Sequence, residues 1–343
     1  MLADLSLAAY LTVFALAAGV ILLAGTAITG MADRIADRTG LGEAVTGGLL
    51  LGAATSLSGT IVSITSALDG RASLAFSNGI GGIAAQTAFL ALADVIYRRA
   101  NLEHAAADLA NLFQSALLVL MLAVPVAAHV TPEISFWAVH PASAVLVGMY
   151  IAGAYASVGV RRRPMWTARR TRETRHDAPD DSGDAAKPAL HLLLPFGGLM
   201  LILGIAGWAV ARSGAEISDR LGLSSALVGA LMTAVVTSLP ELVTTLAAVR
   251  RRALQLAVGG IIGGNTFDVL FLTLSDIAYR EGSLYHAIGA ADLFWVIVGQ
   301  MMAGILLLGL ILRERRGPAN IGWESLCLLL LYAGAAALQT WRG

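Results

Sequence analysis

The sequence predicts an all-α polytopic membrane protein: ten transmembrane helices arranged as two inverted five-helix repeats. Three observations carry that prediction. Apolar runs of about twenty residues, the length that crosses a hydrocarbon core, recur along 343 residues that are 57% hydrophobic and 13% charged, with a mean hydropathy of +0.74. Lys and Arg sort unevenly between alternate loops. The second half of the chain also repeats the first without a gap.

The length rule places spans at 7–29, 42–68, 72–97, 106–128, 134–158, 190–212, 223–249, 253–279, 288–312 and 320–341. The first opens MLADLSLAAYLTVFALAAG, with Asp4 where a signal peptide carries Lys or Arg, so it reads as a span. Arg71, Arg212, Arg220, Arg280 and Arg342 fall on one side of this arrangement, and the other 18 of the 23 Lys and Arg fall opposite. The positive-inside rule makes the richer side cytoplasmic and both termini external. An inner (cell) membrane, multi-pass placement follows. The hydrophilic stretch 159–188, from Arg161-Arg162-Arg163-Pro164 through Asp184, reads as a flexible cytoplasmic linker, its basic start at anionic head groups. It separates a first repeat, 1–158, from a second, 189–343.

The repeat itself is gapless. At an offset of 182, Ile35, Asp37, Arg38, Thr55, Ser56 and Leu57 fall on identical residues between Ile217 and Leu239; Ile80, Gly81, Gly82, Phe89, Asp94 and Arg98 fall on identities up to Arg280. Each unit has five spans, so the second enters the membrane upside down. That is the plan of secondary transporters with a midplane site on interrupted helices.

The chemistry concentrates in Thr237-Ser238-Leu239-Pro240-Glu241 and Gly263-Gly264-Asn265-Thr266-Phe267-Asp268. A carboxylate inside a span is costly and points to function. Pro240 lacks an N–H and breaks the helix, which a membrane tolerates only facing protein or a wet cavity. Freed carbonyls, Thr237, Ser238 and Glu241 are hard oxygen ligands for a cation. Thr237 and Glu241 share a helix face, as do Gly264 and Asp268.

The stretch VGALMTAVVTSLPELVTTLAAVRRRALQLAVGGIIGGNTFDVLF resembles the second alpha repeat of the calcium/cation antiporter superfamily, which includes prokaryotic sodium/calcium exchangers and calcium/proton exchangers. The resemblance covers nearly the whole chain. It implies ten helices, external termini, and cation-binding roles for Thr237, Ser238, Glu241 and Asp268, the last two as the metal carboxylates. The first repeat departs from the pattern. Thr55-Ser56-Leu57-Ser58-Gly59 puts Ser58 at the proline and Gly59 at the glutamate; Gln86 stands where an asparagine is usual, and Gly264 where a serine is usual. Thr55, Ser56 and Gln86 remain as neutral ligands, with Pro240 and Gly59 marking the breaks and Gly81, Gly82, Gly263 and Gly264 reading as close-packing positions.

The resemblance implies a secondary antiporter exchanging Ca²⁺ for Na⁺ or H⁺ by alternating access, the first and sixth spans moving past the other eight. Without a first-repeat glutamate, a monovalent cation/proton antiporter is the alternative, and a transport-inactive scaffold or sensor a third. The partners implied are inorganic cations and the bilayer. No enzyme motif, nucleic-acid signature or cofactor site is present in the sequence. The ion, the counter-ion and the oligomeric state stay open. Asp94 with Arg98, Asp276 with Arg280, and Asp219 with Arg220 read as interfacial ion pairs, His140-Pro141 as a kink, and Gln114 and Gln300 as interhelical hydrogen bonders.

Overall fold

A computed structural model describes residues 5–39, 54–97, 99–169, 171–174, 190–317 and 321–342. Among them, all regular structure is helical apart from one isolated bridge, Phe136 to Val139. In order the helices are α1 (Leu7–Thr39), α2 (Leu57–Leu68), α3 (Ala72–Tyr97), the short α4 (Leu102–Ala105), α5 (Leu109–Val130), α6 (Pro141–Arg162) and α7 (Leu190–Leu221). Then come α8 (Ser225–Thr237), α9 (Leu239–Arg251), α10 (Leu254–Asp268), α11 (Leu270–Ala278), the short α12 (Leu284–Ala287), α13 (Ala290–Leu312) and α14 (Trp323–Arg342).

Among the described residues, seven helices are long and apolar enough to span a membrane, or eight when α8 and α9, bent by 46°, form one broken span. Ten were expected. Of the predicted second span only α2 is described, with 42–53 outside the described residues. α14 stands at the tenth and is long enough, but its polar ends, Glu324-Ser325 and Gln339-Thr340, leave it outside the apolar set.

α3 is the hub. It is buried on every side, the pattern of a helix surrounded by protein, and 83% of its spanning window is buried against 22% for α1. Its Phe76, Ile80 and Ile83 pack with Leu122 of α5 and Trp295 and Met302 of α13. One close approach fixes α3 against α8. A Cβ on Gly81 would lie 2.4 Å from Ala230 Cα and 2.5 Å from its carbonyl oxygen, so only glycine lets the backbones meet. At that contact α8 takes a π-turn, Val228–Thr233. α1 and α7 pack along each other at the periphery. α1 also meets α9, where a Cβ on Gly25 would lie 2.3 Å from Pro240 Cγ.

The 182-residue offset reappears as matched hydrogen bonds. Asp94 accepts from Leu102 N at 2.8 Å and Gly322 N at 2.9 Å. Its counterpart Asp276 accepts from Leu284 N at 2.9 Å and His140 N at 2.7 Å. All four donors are themselves offset partners, and each aspartate ties a short helix to the start of a long one.

Several ion-pair expectations are corrected here. Asp276 caps helix starts and accepts from Ser143 Oγ at 2.7 Å, while Arg280 donates to Trp137 O at 2.9 Å. Asp219 pairs with Arg71, whereas Arg220 pairs with Glu216 and lies over the Tyr10 ring. Backbone N–H groups at helix starts outcompete a flexible guanidinium for a buried carboxylate. Arg98 lies outside the described residues. His140-Pro141 starts α6 rather than kinking a span: His140 Nδ1 accepts from Ala142 N at 3.1 Å and Pro141 fills the first turn, where no N–H is needed. Of the expected linker, 159–188, residues 159–162 close α6 instead, and 163–169 and 171–174, also described, are docked. Glu173 pairs with Arg315, Arg313 donates to Arg169 O at 3.0 Å, and Thr171 Oγ1 meets His104 Nε2 at 2.9 Å. Gln114 and Gln300 bond across helices, to Ser157 Oγ and Val119 O, as expected.

Candidate cation site

Two broken helices carry the acidic residues. Between α8 and α9 the backbone leaves helical geometry at Ser238 (φ −94°, ψ 3°), two residues before Pro240, and Glu241 lies in the first turn of α9. α10 ends at Asp268, and α11 begins after Val269. The first repeat has the matching break at Ser56 (φ −81°, ψ 0°), ahead of α2. Its other helix, α3, runs unbroken through Gln86. Asp268 at a helix C-terminus adds its charge to the negative end of the helix dipole, which favours a cation there.

The breaks meet. Ser56, Gly59, Asn78, Gly82, Gln86, Thr237, Ser238, Glu241, Asp268 and Phe271 line one cavity of about 10 Å³, room for one water-sized particle. Ser56 Oγ donates to Asp268 Oδ1 at 2.6 Å, and Gln86 Nε2 donates to Asp268 Oδ2 at 2.6 Å. Gln86 Nε2 also reaches Ser238 Oγ at 3.4 Å. Thr55 hydrogen-bonds the Glu241 carboxyl. Thr237 Oγ1 donates back to Ala234 O at 3.2 Å, leaving its lone pairs toward the cavity. Two buried oxygens have no hydrogen-bond partner: Glu241 Oε2 and Gln86 Oε1. Among the described residues, no lysine, arginine or histidine lines the cavity. Two carboxylates, two amides and several hydroxyls with no basic residue are a donor set for a hard cation or a proton. Among the described residues no three acidic, histidine or cysteine side chains gather with metal-ligand spacing, so neutral oxygens must complete any coordination sphere.

All seven residues expected as ligands, Thr55, Ser56, Gln86, Thr237, Ser238, Glu241 and Asp268, are buried around this point. The glycines divide. Gly81 is a close-packing position, as expected. Gly82 instead faces the cavity, 3.5 Å from Ser238 Oγ measured from an added Cβ. Gly263 and Gly264 meet no neighbouring backbone: their nearest atoms are Gln114 Oε1 at 3.7 Å and Gln86 Oε1 at 3.3 Å. The close-packing expectation is corrected for Gly82 and Gly263, which have room for ordinary contacts; Gly264 is tight, but against the Gln86 side chain rather than a backbone.

Two lining residues were not expected. Asn78 donates to Gly59 O at 3.1 Å and accepts from Thr233 Oγ1 at 2.8 Å; its signal was an amide two turns before Gln86 on the same face of an apolar helix. Phe271 places Cε2 2.7 Å from where a Cβ on Gly59 would stand. Its ring occupies the space of the absent first-repeat side chain, which no sequence pattern announces.

A profile of the sodium/calcium exchanger protein family matches residues 9–159 and 190–341. The chain belongs to the sodium/calcium exchanger family. That family consists of membrane exchangers, within the calcium/cation antiporter superfamily. Among curated relatives, this chain is 33% identical over 102 residues to the inner membrane protein YrbG of Escherichia coli, covering 30% of each chain. It is 31% identical over 116 residues to the sodium/calcium exchanger MaX1 of Methanosarcina acetivorans, covering 34% of this chain and 31% of that one. The alignments thus span about a third of these relatives' length. Among solved structures, the sodium-calcium exchanger NCX_Mj superposes with a TM-score of 0.63 at 19% identity, covering 97% of this chain and 99% of the other. The H⁺/Ca²⁺ exchanger CAX gives 0.67 at 16% identity, covering 97% and 86%. At these identities the two structures speak for the fold.

Proposed function

We propose that this exchanger is a secondary active antiporter that carries Ca²⁺ against Na⁺ or H⁺ through the cavity between Glu241 and Asp268. The observation that carries the reading is the unpartnered Glu241 Oε2 facing a cavity that also receives the unpartnered Gln86 Oε1 and no basic side chain. A buried carboxylate oxygen without a donor is costly unless a cation or proton visits it. Glu241 is the principal cation ligand. Asp268 is the second carboxylate, and Thr55, Ser56, Gln86, Thr237 and Ser238 supply neutral oxygens. The matched contacts of Asp94 and Asp276 support two inverted five-helix units, 1–158 and 189–343, joined by 159–188 on the cytoplasmic side, with external termini. The peripheral pair α1 and α7 is the element that slides past the core.

One observation favours a second reading, exchange of monovalent cations for protons. Phe271 fills the place opposite Glu241 where a further carboxylate would complete a divalent site. Proteoliposomes separate the readings. Ca²⁺ uptake driven by a Na⁺ or H⁺ gradient and lost in Glu241→Gln supports the first. Na⁺/H⁺ exchange insensitive to Ca²⁺ supports the second. No cation flux in either form of the protein would defeat both and leave a scaffold.

A further inference from the structure

The two ends of the molecule are built on the same plan but differ in charge. At one end Asp276 holds Leu284 N and His140 N, and the neighbouring Tyr285 hydroxyl meets Ser143 Oγ at 3.0 Å. That aspartate is held by backbone N–H groups and a hydroxyl, with the His140 imidazole nearby. At the other end Asp94 holds Leu102 N and Gly322 N. There the offset counterpart of Tyr285 is Glu103, and beside it stands Glu324, whose counterpart is Ala142. A hydroxyl contact at one end has become a carboxyl pair at the other.

Glu103 and Glu324 are both 0% exposed, and among the described residues none of their four carboxyl oxygens finds a hydrogen-bond donor. The two carboxyls face each other, with Asp94 beside them. The Glu324 side chain is pinned: a Cβ on Gly309 would lie 2.7 Å from its Cγ, and one on Gly322 2.6 Å from its Oε1. Among the described residues, the charged groups around the pair bring no relief. Asp94 and Glu314 are acidic. Arg313 is spent on Arg169 O and His104 O, and Arg315 on Glu173. His104 meets Arg313 O and Thr171 Oγ1, and Asp108 caps Ala110 N of its own helix. From α10 and α13, which pack on α4, the faces are aliphatic: Leu254, Val258, Leu306 and Leu310.

Two ionised carboxylates cannot lie side by side in such a place without a neutralising partner. A proton shared between them supplies both the missing donor and the missing charge. A divalent cation would do the same, but the three carboxyls lack metal-ligand spacing. We propose that Glu103 and Glu324 form a proton-binding site that clamps α4 to the start of α14, a carboxyl site that the opposite end of the molecule does not repeat. Burial, with the charges of Asp94 and Glu324 adding to it, holds the Glu103 carboxyl well above the usual carboxylate range. The site lies apart from Glu241 and Asp268, so it stands whichever ion the exchanger carries.

The test uses the full chain in detergent and reads stability rather than transport. A carboxyl raised in the folded state stabilises at low pH and loses that contribution as pH rises through its folded value. The wild-type melting temperature should therefore fall as pH rises above the usual carboxylate range, and the pair should contribute about one proton released on unfolding to that slope. Glu103→Gln/Glu324→Gln should flatten that slope by the same one proton, and Glu324→Gln alone should reduce it. Infrared difference spectra over the same range should show a protonated carboxyl band in wild type that is absent from the double variant. An unchanged slope and an unchanged band in the double variant would overturn the proposal. So would protection by Ca²⁺ that survives Glu241→Gln but not the double substitution, since the pair would then hold a metal. Should the double variant fail to fold, the infrared band in Glu324→Gln decides alone.

Discussion

Gln86 Nε2 donates to Asp268 Oδ2 across 2.6 Å, although the two residues are 182 apart in the chain and occupy equivalent positions in the repeat. An amide thus faces its own carboxylate counterpart. With Ser56 on the other oxygen, Asp268 is fully engaged by neutral donors from the first half. Glu241 keeps one oxygen unclaimed. The two carboxylates are therefore unequal, and Glu241→Gln and Asp268→Asn should differ. Glu241→Gln should lower cation affinity by at least about 100-fold, on the order of 3 kcal/mol. Asp268→Asn should cost stability as well as affinity, since an amide cannot accept on both sides. Thermal unfolding with and without Ca²⁺ or Na⁺ reads both effects.

Gly59 and Phe271 set the number of carboxylates that fit. Gly59→Glu alone should destabilise the protein without improving Ca²⁺ protection, because the new side chain enters the Phe271 ring. Adding Phe271→Leu should relieve the clash and increase Ca²⁺ protection. Equal Ca²⁺ protection in both variants would show that the ring does not govern selectivity.

The glycines give a paired test of packing. Gly81→Ala drives a methyl into the Ala230 backbone and should cost about 1–3 kcal/mol. Gly263→Ala meets only Gln114 Oε1 at 3.7 Å, an ordinary contact, and should leave the melting temperature within a degree or two, which is about the effect of 0.5 kcal/mol.

His140 carries a pH dependence of opposite sign to that of the Glu103 site. Burial, with His286 adding, holds its imidazole below the ordinary value of 6.5, against the pull of Asp276 and Glu133. A lowered histidine stabilises above its unfolded value and loses that contribution as pH falls through it. Protonating Nδ1 also removes the acceptor that caps α6. Stability should therefore drop on acidification through about pH 6.5. His140→Asn, which keeps a capping oxygen and cannot titrate, should weaken that drop.

Most of the site was legible because its chemistry is expensive in lipid. Glu241, Asp268 and Gln86 stand out in apolar runs, and Pro240 marks the break by its missing N–H. The pairing of Ser56 with Asp268 was not legible, since a serine in a span bonds its own helix as readily as another. Phe271 was silent for the same reason that any aromatic in a span is: only its position distinguishes it from core. Asp94 and Asp276 were visible as a symmetric pair, but Asp276 was misassigned to an arginine. Sequence spacing finds the nearest opposite charge, whereas the fold brings helix starts from elsewhere in the chain. The count of ten spans depended on 42–53, outside the described residues, and on α14, whose ends are polar.

The contact of Gly25 with Pro240 joins two otherwise separate facts. α1 is among the helices most exposed to lipid, and Pro240 immediately precedes Glu241. A helix whose tilt responds to bilayer thickness therefore rests on the ring beside Glu241. If Glu241 is the ligand proposed above, acyl-chain length becomes an input to ion affinity, passed through one methylene contact, and reconstitution in thin and thick bilayers is a way to tune the protein without touching its sequence.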